Sequence, residues 1–259
     1  NLLPLTRHVH VVDGFGPDER ETQIPRRVLL RRMVLGRGKV IVPSRNLEQI
    51  ATERWKLPER VVKYVPNGID LARFAKGRRT QAQNPPVIGT VAALRPEKNI
   101  GRLIRAFAAA VRECPARLVI VGDGPERLSL TALAAEQGVA DLVTFTGQRD
   151  DTPSLYAGFD LFALTSDTEQ MPLSVIEAMA SGLPVVATDV GDVRTMVAAE
   201  NAPYLGSRDD AVIARMLAGM LAGSDTRARI GIANRAKAER DFDQAAMFSA
   251  WRGLWTGEG

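Results

Sequence analysis

Residues 166–188 read Ser166-Asp167-Thr168-Glu169-Gln170-Met171-Pro172-Leu173-Ser174-Val175-Ile176-Glu177-Ala178-Met179-Ala180-Ser181-Gly182-Leu183-Pro184-Val185-Val186-Ala187-Thr188. An apolar run at 161–165 precedes this stretch, and a second one, Val185-Val186-Ala187, closes it. Pro172 suits the first helical position, where its missing N–H costs nothing. Gly182 suits the residue just past a helix end, and Pro184 stops the helix from continuing. The order is therefore strand, polar turn, helix, strand. Glu169 falls in the turn at a strand's carboxyl end, and Glu177 about one and a half turns into the helix. In open parallel sheets, ligands bind in the crevice outside the strand carboxyl ends. Carboxylates there can accept hydrogen bonds from sugar or ribose hydroxyls, and the N–H groups of the helix's first turn can face an anion.

The same alternation extends outward in both directions. Strand-like runs recur at 9–12, 39–43, 62–65, 87–92, 118–121, 143–146, 161–165, 185–188 and 203–205. Most are short and continuously apolar, as strands buried on both faces must be. Helical runs separate them: at 101–114, Leu103, Ile104, Phe107, Ala108 and Val111 recur at helical spacing. Alternating strands and helices predict an α/β chain with parallel sheets. The polar stretch 76–86, ending in Pro85-Pro86, reads as a linker. It divides the chain into a first unit at 1–80, with three strands, and a second at 85–240, with six. Residues 241–259 are expected to form a helix packing back toward the first unit. Trp251, Leu254 and Trp255 give that helix an apolar end that should pack on something. Three strands do not close a Rossmann-like sheet, so the first unit reads as partial.

Two further segments sit at strand ends. Leu94-Arg95-Pro96-Glu97-Lys98-Asn99 follows one strand and precedes a helix that Asn99 can cap. Two cations beside a helix N-terminus make an anion site without a metal. Val121-Gly122-Asp123-Gly124-Pro125 ends the next strand. Glycines there let backbone approach a ligand, although the same pattern also serves a tight turn. A dinucleotide fingerprint would place a third glycine where Arg127 stands. That argues against a nicotinamide-dependent oxidoreductase, the weaker alternative.

The stretch at 166–188 resembles the Glu-x7-Glu signature of retaining GT-B glycosyltransferases of the group 1, family 4 type. Glutamate spacing, Glu-Ala-Met-Ala, Gly-x-Pro-Val-Val-Ala and Thr-Asp recur together. The resemblance implies a GT-B fold with a complete C-terminal and a partial N-terminal Rossmann-like domain. It implies donor-sugar contact for Glu169, ribose contact for Glu177, and diphosphate contact for Arg95 and Lys98. Gly122 and Gly124 would line the nucleotide site. Gln148 and Arg149 would lie toward the base, with Gln170, Met171 and Leu173 at the donor turn. On the acceptor side the candidates are His10 and Asp13. The sequence departs from the family in two places. Gln170-Met171-Pro172 replaces Gly-Phe-Gly, and Asp192 and Thr195 stand where the family has a second glycine and a glutamate. Pro66-Asn67-Gly68-Ile69-Asp70 also matches and reads as a structural turn.

Composition agrees with a globular chain: 259 residues, 45% hydrophobic and 25% charged. No apolar run approaches the roughly 18 residues of a spanning helix. A lone Cys114 cannot form an internal disulfide, and it reads as a core residue. The start Asn1-Leu2-Leu3-Pro4 lacks the order of a secretory signal, which makes a cytosolic location the default expectation. The segment from Arg26 to Leu35 mixes Arg26, Arg27, Arg31 and Arg32 with apolar residues. It reads as a helix with a solvated basic face, or alternatively as one lying on an anionic membrane. No zinc spacing or aromatic-basic ladder points to a metal or to nucleic acid. His8 and His10 share a strand face without a third ligand. Asp241-Phe242-Asp243 falls in the tail between helices and is expected far from the strand ends. The implied activity is metal-independent transfer of a sugar, with retention, from a nucleoside diphosphate to a glycan or lipid-linked acceptor. No cofactor is implied. A rival reading is a fragment that binds the nucleotide sugar without transferring it.

Overall fold

The computed structural model describes residues 8–15, 19, 23–75 and 84–256. The chain start, Gly16 and residues 76–83 of the expected linker lie outside the described residues.

Two parallel sheets form. The first has the order β1 (Val9–Val11), β2 (Lys39–Val42), β3 (Val62–Tyr64). Helix α1 (Pro25–Leu35) joins β1 to β2. Helix α2 (Arg45–Gln49) follows β2 and runs on as a π-turn through Ile50–Arg54. Leu47, Ala51, Trp55 and Leu57 pack here against Val40, Val42 and Val62. After α3 (Leu71–Ala75) the second sheet begins. Its strands are β4 (Val87–Val91), β5 (Arg117–Val121), β6 (Val143–Gly147), β7 (Leu161–Leu164), β8 (Val185–Thr188) and β9 (Leu205–Gly206).

The spatial order is β6-β5-β4-β7-β8-β9, all parallel. Counted from β4, this is the doubly wound order 3-2-1-4-5-6, in which winding reverses between β4 and β7. The apolar strands feed two cores by alternation. Leu161 and Ala163 face one side with Ile88, Leu118 and Val186. Helices α4 (Ile100–Ala110), α5 (Arg127–Glu136) and α9 (Asp210–Ala222) cover that side. Phe162 and Leu164 face the other, with Val87, Val185 and Ala187, under α6 (Thr152–Ala157), α7 (Leu173–Ala180) and α10 (Ser224–Asp241). A four-residue helix, α8 (Val193–Met196), follows β8.

The expected strands therefore all form, each within two residues of its boundaries at either end. Pro172 is the residue before α7 rather than its first, because its extended ψ of 118° starts the helix at Leu173. Helix α4 ends at Ala110 rather than 114, four residues short, the chain leaving through a turn before Pro115. The last helix, α11 (Gln244–Thr256), begins against the first unit: Ile69 N–H donates to Phe242 O and Gln244 N–H to Ile69 O, at 3.0 and 3.1 Å. Its apolar end packs in part, with Trp251 and Leu254 partly buried. Trp251 and Trp255 meet edge to face at 5.9 Å, but Trp255 stays exposed. Cys114 is partly buried at the α4–α9 seam.

Candidate active site at the sheet switch point

The reversal between β4 and β7 brings the loops after those strands side by side. The β4 loop carries Arg95 and Lys98, and the β7 loop carries Glu169. Lys98 Nζ donates to Glu169 Oε1 at 2.6 Å. Ser166 Oγ donates to the same oxygen at 2.7 Å. The Glu169 side chain is only 9% exposed. One carboxylate oxygen is thus held from two sides, which fixes the direction of the other.

Beneath this pair the two loops are stitched together. Asp167 N–H donates to Glu97 O at 2.8 Å. Asn99, which caps α4 through its Oδ1 to Arg102 N–H, donates from Nδ2 to both Asp167 oxygens. Buried Arg102 donates to Thr165 O at 2.7 Å and forms an ion pair with Asp167 at 2.8 Å. Arg95 stands apart: it is exposed and forms no ion pair among the described residues.

Gly122 and Gly124 have a packing reason. Gly122 has φ +133°, and a Cβ there would collide with Ala92 O. The β5 turn lies directly on the β4 loop, with Leu94 N–H to Asp123 O at 2.9 Å and Glu126 N–H to Leu94 O at 3.1 Å. These glycines bring the β5 strand end against the loop that bears Arg95. Gly191, at φ +54°, does the same on the other side, where a Cβ would strike Glu169 O.

Glu177 lies in a second cluster on α7. Its Oε2 accepts from Tyr156 Oη at 2.8 Å. Burial pushes the Glu177 carboxyl above its ordinary range, opposed by the Tyr156 hydroxyl and by the charge of Arg73 on α3. Tyr156 is pushed up as well, first by burial and then by the neighbouring carboxylate. Among the described residues no side-chain group caps α7, and the Leu173 and Ser174 N–H groups begin the helix without intrahelical acceptors.

The remaining candidates divide. Met171 is buried: its Sδ lies 3.3 Å from Asn67 N and its carbonyl accepts from Asn67 Nδ2 at 3.2 Å. Leu173 is exposed. Gln148 and Arg149 are exposed, and Arg149 binds Asp151 through two nitrogens at 2.8 and 2.9 Å. His10, in β1, stacks on His8, the residue before the strand, at 6.2 Å between ring centroids. Asp13 is exposed after β1, next to Gly14, where an added Cβ would meet the Gln170 side chain at 3.6 Å.

Gln170 faces the first unit, where its Oε1 accepts from Ser44 Oγ at 3.1 Å and Asn46 Nδ2 at 3.2 Å. Asp192, the departure from the family's glycine, accepts from Arg45 N at 2.6 Å and Asn46 N at 3.0 Å, at the start of α2. Asp241 comes nearer than its place in the tail suggested. With Arg45, Tyr64, Met171 and Asp192 it lines a cavity of about 450 Å³, where Lys237 and Arg240 bind it. No three His, Cys, Asp or Glu side chains converge on a metal position among the described residues.

Sequence reasoning missed Ser166, Asp167, Arg102, Tyr156 and Asp192. Ser166 alone carried a signal, its spacing of three from Glu169 across a turn.

A family model described as glycosyl transferases group 1 matches residues 85–222. The N-acetyl-alpha-D-glucosaminyl L-malate synthase of Bacillus anthracis is 31% identical over 155 residues, 57% of this chain and 41% of that protein. A D-inositol 3-phosphate glycosyltransferase of Salinispora arenicola is 35% identical over 230 residues, 76% of this chain and 51% of that protein. The chain spans about half the length of such curated relatives, or less. Among solved structures, Anabaena Alr3699/HepE in complex with UDP superposes with a TM-score of 0.84 at 22% identity, over 96% of this chain and 72% of that one.

Proposed function

Because the chain belongs to the glycosyl transferases group 1 family, we propose that it transfers a sugar from a nucleoside diphosphate to a glycan or lipid-linked acceptor, with retention and without a metal. The fold is GT-B. The observation that carries the proposal is the Lys98–Glu169 pair at the switch point, with the exposed Arg95 on the same loop as Lys98. A diphosphate donor needs cations where charge grows as the bond between C1 and phosphate oxygen breaks. Arg95 offers a planar fork suited to two phosphate oxygens. Lys98 holds one proton to Glu169 and has two more to give.

In this reading the Glu169 oxygen that Lys98 does not hold accepts from donor-sugar hydroxyls, and Glu177 accepts from the ribose diol. The unpaired N–H groups at the start of α7 face the sugar or phosphate. Gln148 and Arg149 lie toward the base. The acceptor oxygen attacks C1 from the face the diphosphate is leaving. Its proton passes to a phosphate oxygen, so no side-chain nucleophile is required. The loop of Asp13 supports the acceptor side. UDP is the first nucleotide to try.

The test is donor turnover, or donor hydrolysis in water, in EDTA. Activity should persist, and Arg95→Ala should lose about 2–4 kcal/mol of transition-state stabilisation, expressed in kcat as well as KM. Activity that vanishes in EDTA and returns with magnesium would refute the metal-free clamp, as would unchanged kinetics in Arg95→Ala.

A membrane-side acceptor is supported by α1. Leu29, Leu30, Met33 and Val34 are exposed between Arg26, Arg32 and Arg37, the pairing of apolar and basic groups that suits an anionic bilayer surface. No helix among the described residues is long and apolar enough to cross a membrane. The chain should sediment with vesicles containing phosphatidylglycerol and not with pure phosphatidylcholine, and Leu29→Ser with Met33→Ser should abolish this. Equal binding to both vesicles would contradict the reading.

A further inference from the structure

We propose that the hydroxyl of Tyr156 is the positioning group for Glu177, holding that carboxylate in the orientation that receives the ribose diol. The proposal rests on the reading of Glu177 as the ribose acceptor.

Tyr156 lies on α6, fully buried, with Phe74, Phe159 and Phe162 around its ring at 5.7–5.8 Å between centroids. Phenylalanine would fill that aromatic setting equally well, so packing does not call for a hydroxyl. A buried hydroxyl without a partner is costly, and this one has two oxygens in reach: Glu177 Oε2 at 2.8 Å and Ser174 O at 3.1 Å. A phenol has one proton to give. Ser174 O belongs to the first turn of α7, where it serves the helix ladder. The shorter and charge-assisted partner is the carboxylate.

Ser174 and Glu177 are three apart on one helix face, and the hydroxyl sits over that face. Among the described residues, no other side chain hydrogen-bonds the Glu177 carboxylate. Without Tyr156 the glutamate would keep its rotamer freedom, and ordering it would fall to the ligand. With Tyr156 in place, Oε2 is anchored and Oε1 is left for the ligand. Arg73, on the neighbouring α3, adds attraction but no hydrogen bond.

The experiment is a double-mutant cycle on Tyr156→Phe and Glu177→Ala. Affinities are measured by calorimetry for UDP and GDP and for their 2′,3′-dideoxy counterparts. Tyr156→Phe should weaken the better-bound ribonucleotide about tenfold and leave its dideoxy form unchanged. In the Glu177→Ala background the same change should have no effect. A purely structural role would instead lower affinity for both nucleotides in both backgrounds, and that result overturns the proposal. So does a Tyr156→Phe variant that keeps its full ribose preference while Glu177→Ala loses it. If Glu177→Ala itself keeps the preference, the ribose reading falls first and the positioning role falls with it.

Discussion

At the scale of single residues, the two glutamates differ in what surrounds them. Glu169 sits between a cation and a hydroxyl donor, whereas Glu177 sits in a half-buried niche that disfavours its charge. The folded chain therefore keeps the Glu177 proton to higher pH than the unfolded chain does. The stability this contributes is full below about pH 4.5, the ordinary glutamate value, and is lost as pH rises through the raised one. Ribose binding should follow the opposite trend, because the ionised carboxylate accepts hydrogen bonds better. UDP or GDP affinity of the parent should rise with pH above about 4.5 relative to Glu177→Gln. Calorimetry across that range checks this, and parallel curves for the two proteins would count against it. The glutamate spacing was legible in the sequence because it lies within one strand-turn-helix unit. The Lys98–Glu169 pair was not, since its partners are 71 residues apart and meet only through the winding reversal. Tyr156 gave no signal at all: an aromatic on an amphipathic helix looks like core, and most of this one is.

At the scale of elements, β8 is pinned by polar groups as well as packing. Asn201 accepts from Val185 N at 2.8 Å and donates to Val185 O at 2.7 Å. Asn234 on α10 donates to Asn201 Oδ1 and Leu183 O and accepts from Ala198 N. All these groups are buried, so removing Asn201 strands a backbone pair away from water. Asn201→Leu should destabilise the chain by about 2–4 kcal/mol, because each orphaned buried group costs about 1–3. Urea unfolding would show it, and a loss under about 1 kcal/mol would mean that water replaces the amide. Strands were legible where apolar runs of four or five lay between turn residues, as at β7 and β8. The tail was less so. Its tryptophans looked like a packing surface, but Trp255 stays exposed. Periodicity tells which helix face is apolar and says nothing of what lies opposite.

At the scale of the whole molecule, the two units are joined by the packing of Ile69 and Phe74 into the second core and by hydrogen bonds of Gln170, Met171 and Asp192. Helix α2 has Ser44 as its own cap, with Oγ accepting from Leu47 N at 3.0 Å. The next two free N–H groups, Arg45 and Asn46, go to Asp192 in the other unit. A negative side chain at a helix start is favourable, and losing such a cap costs about 0.5–2 kcal/mol. Asp192→Ala should therefore loosen the junction. Hydrogen exchange at the Arg45 and Asn46 amides should accelerate while the second sheet keeps its protection, and unchanged exchange would show that the contact carries no weight. The sequence marked Asp192 only as a departure from the family's glycine, because its partners lie 146 and 147 residues earlier. That separation has a consequence in time. At about 5–20 residues per second, the ribosome delivers Asp192 roughly 7–30 s after Arg45. Throughout that interval α2 has been synthesised but two of its amides still lack their acceptor, so its first turn can be completed only once the β8 end of the second sheet has emerged and folded.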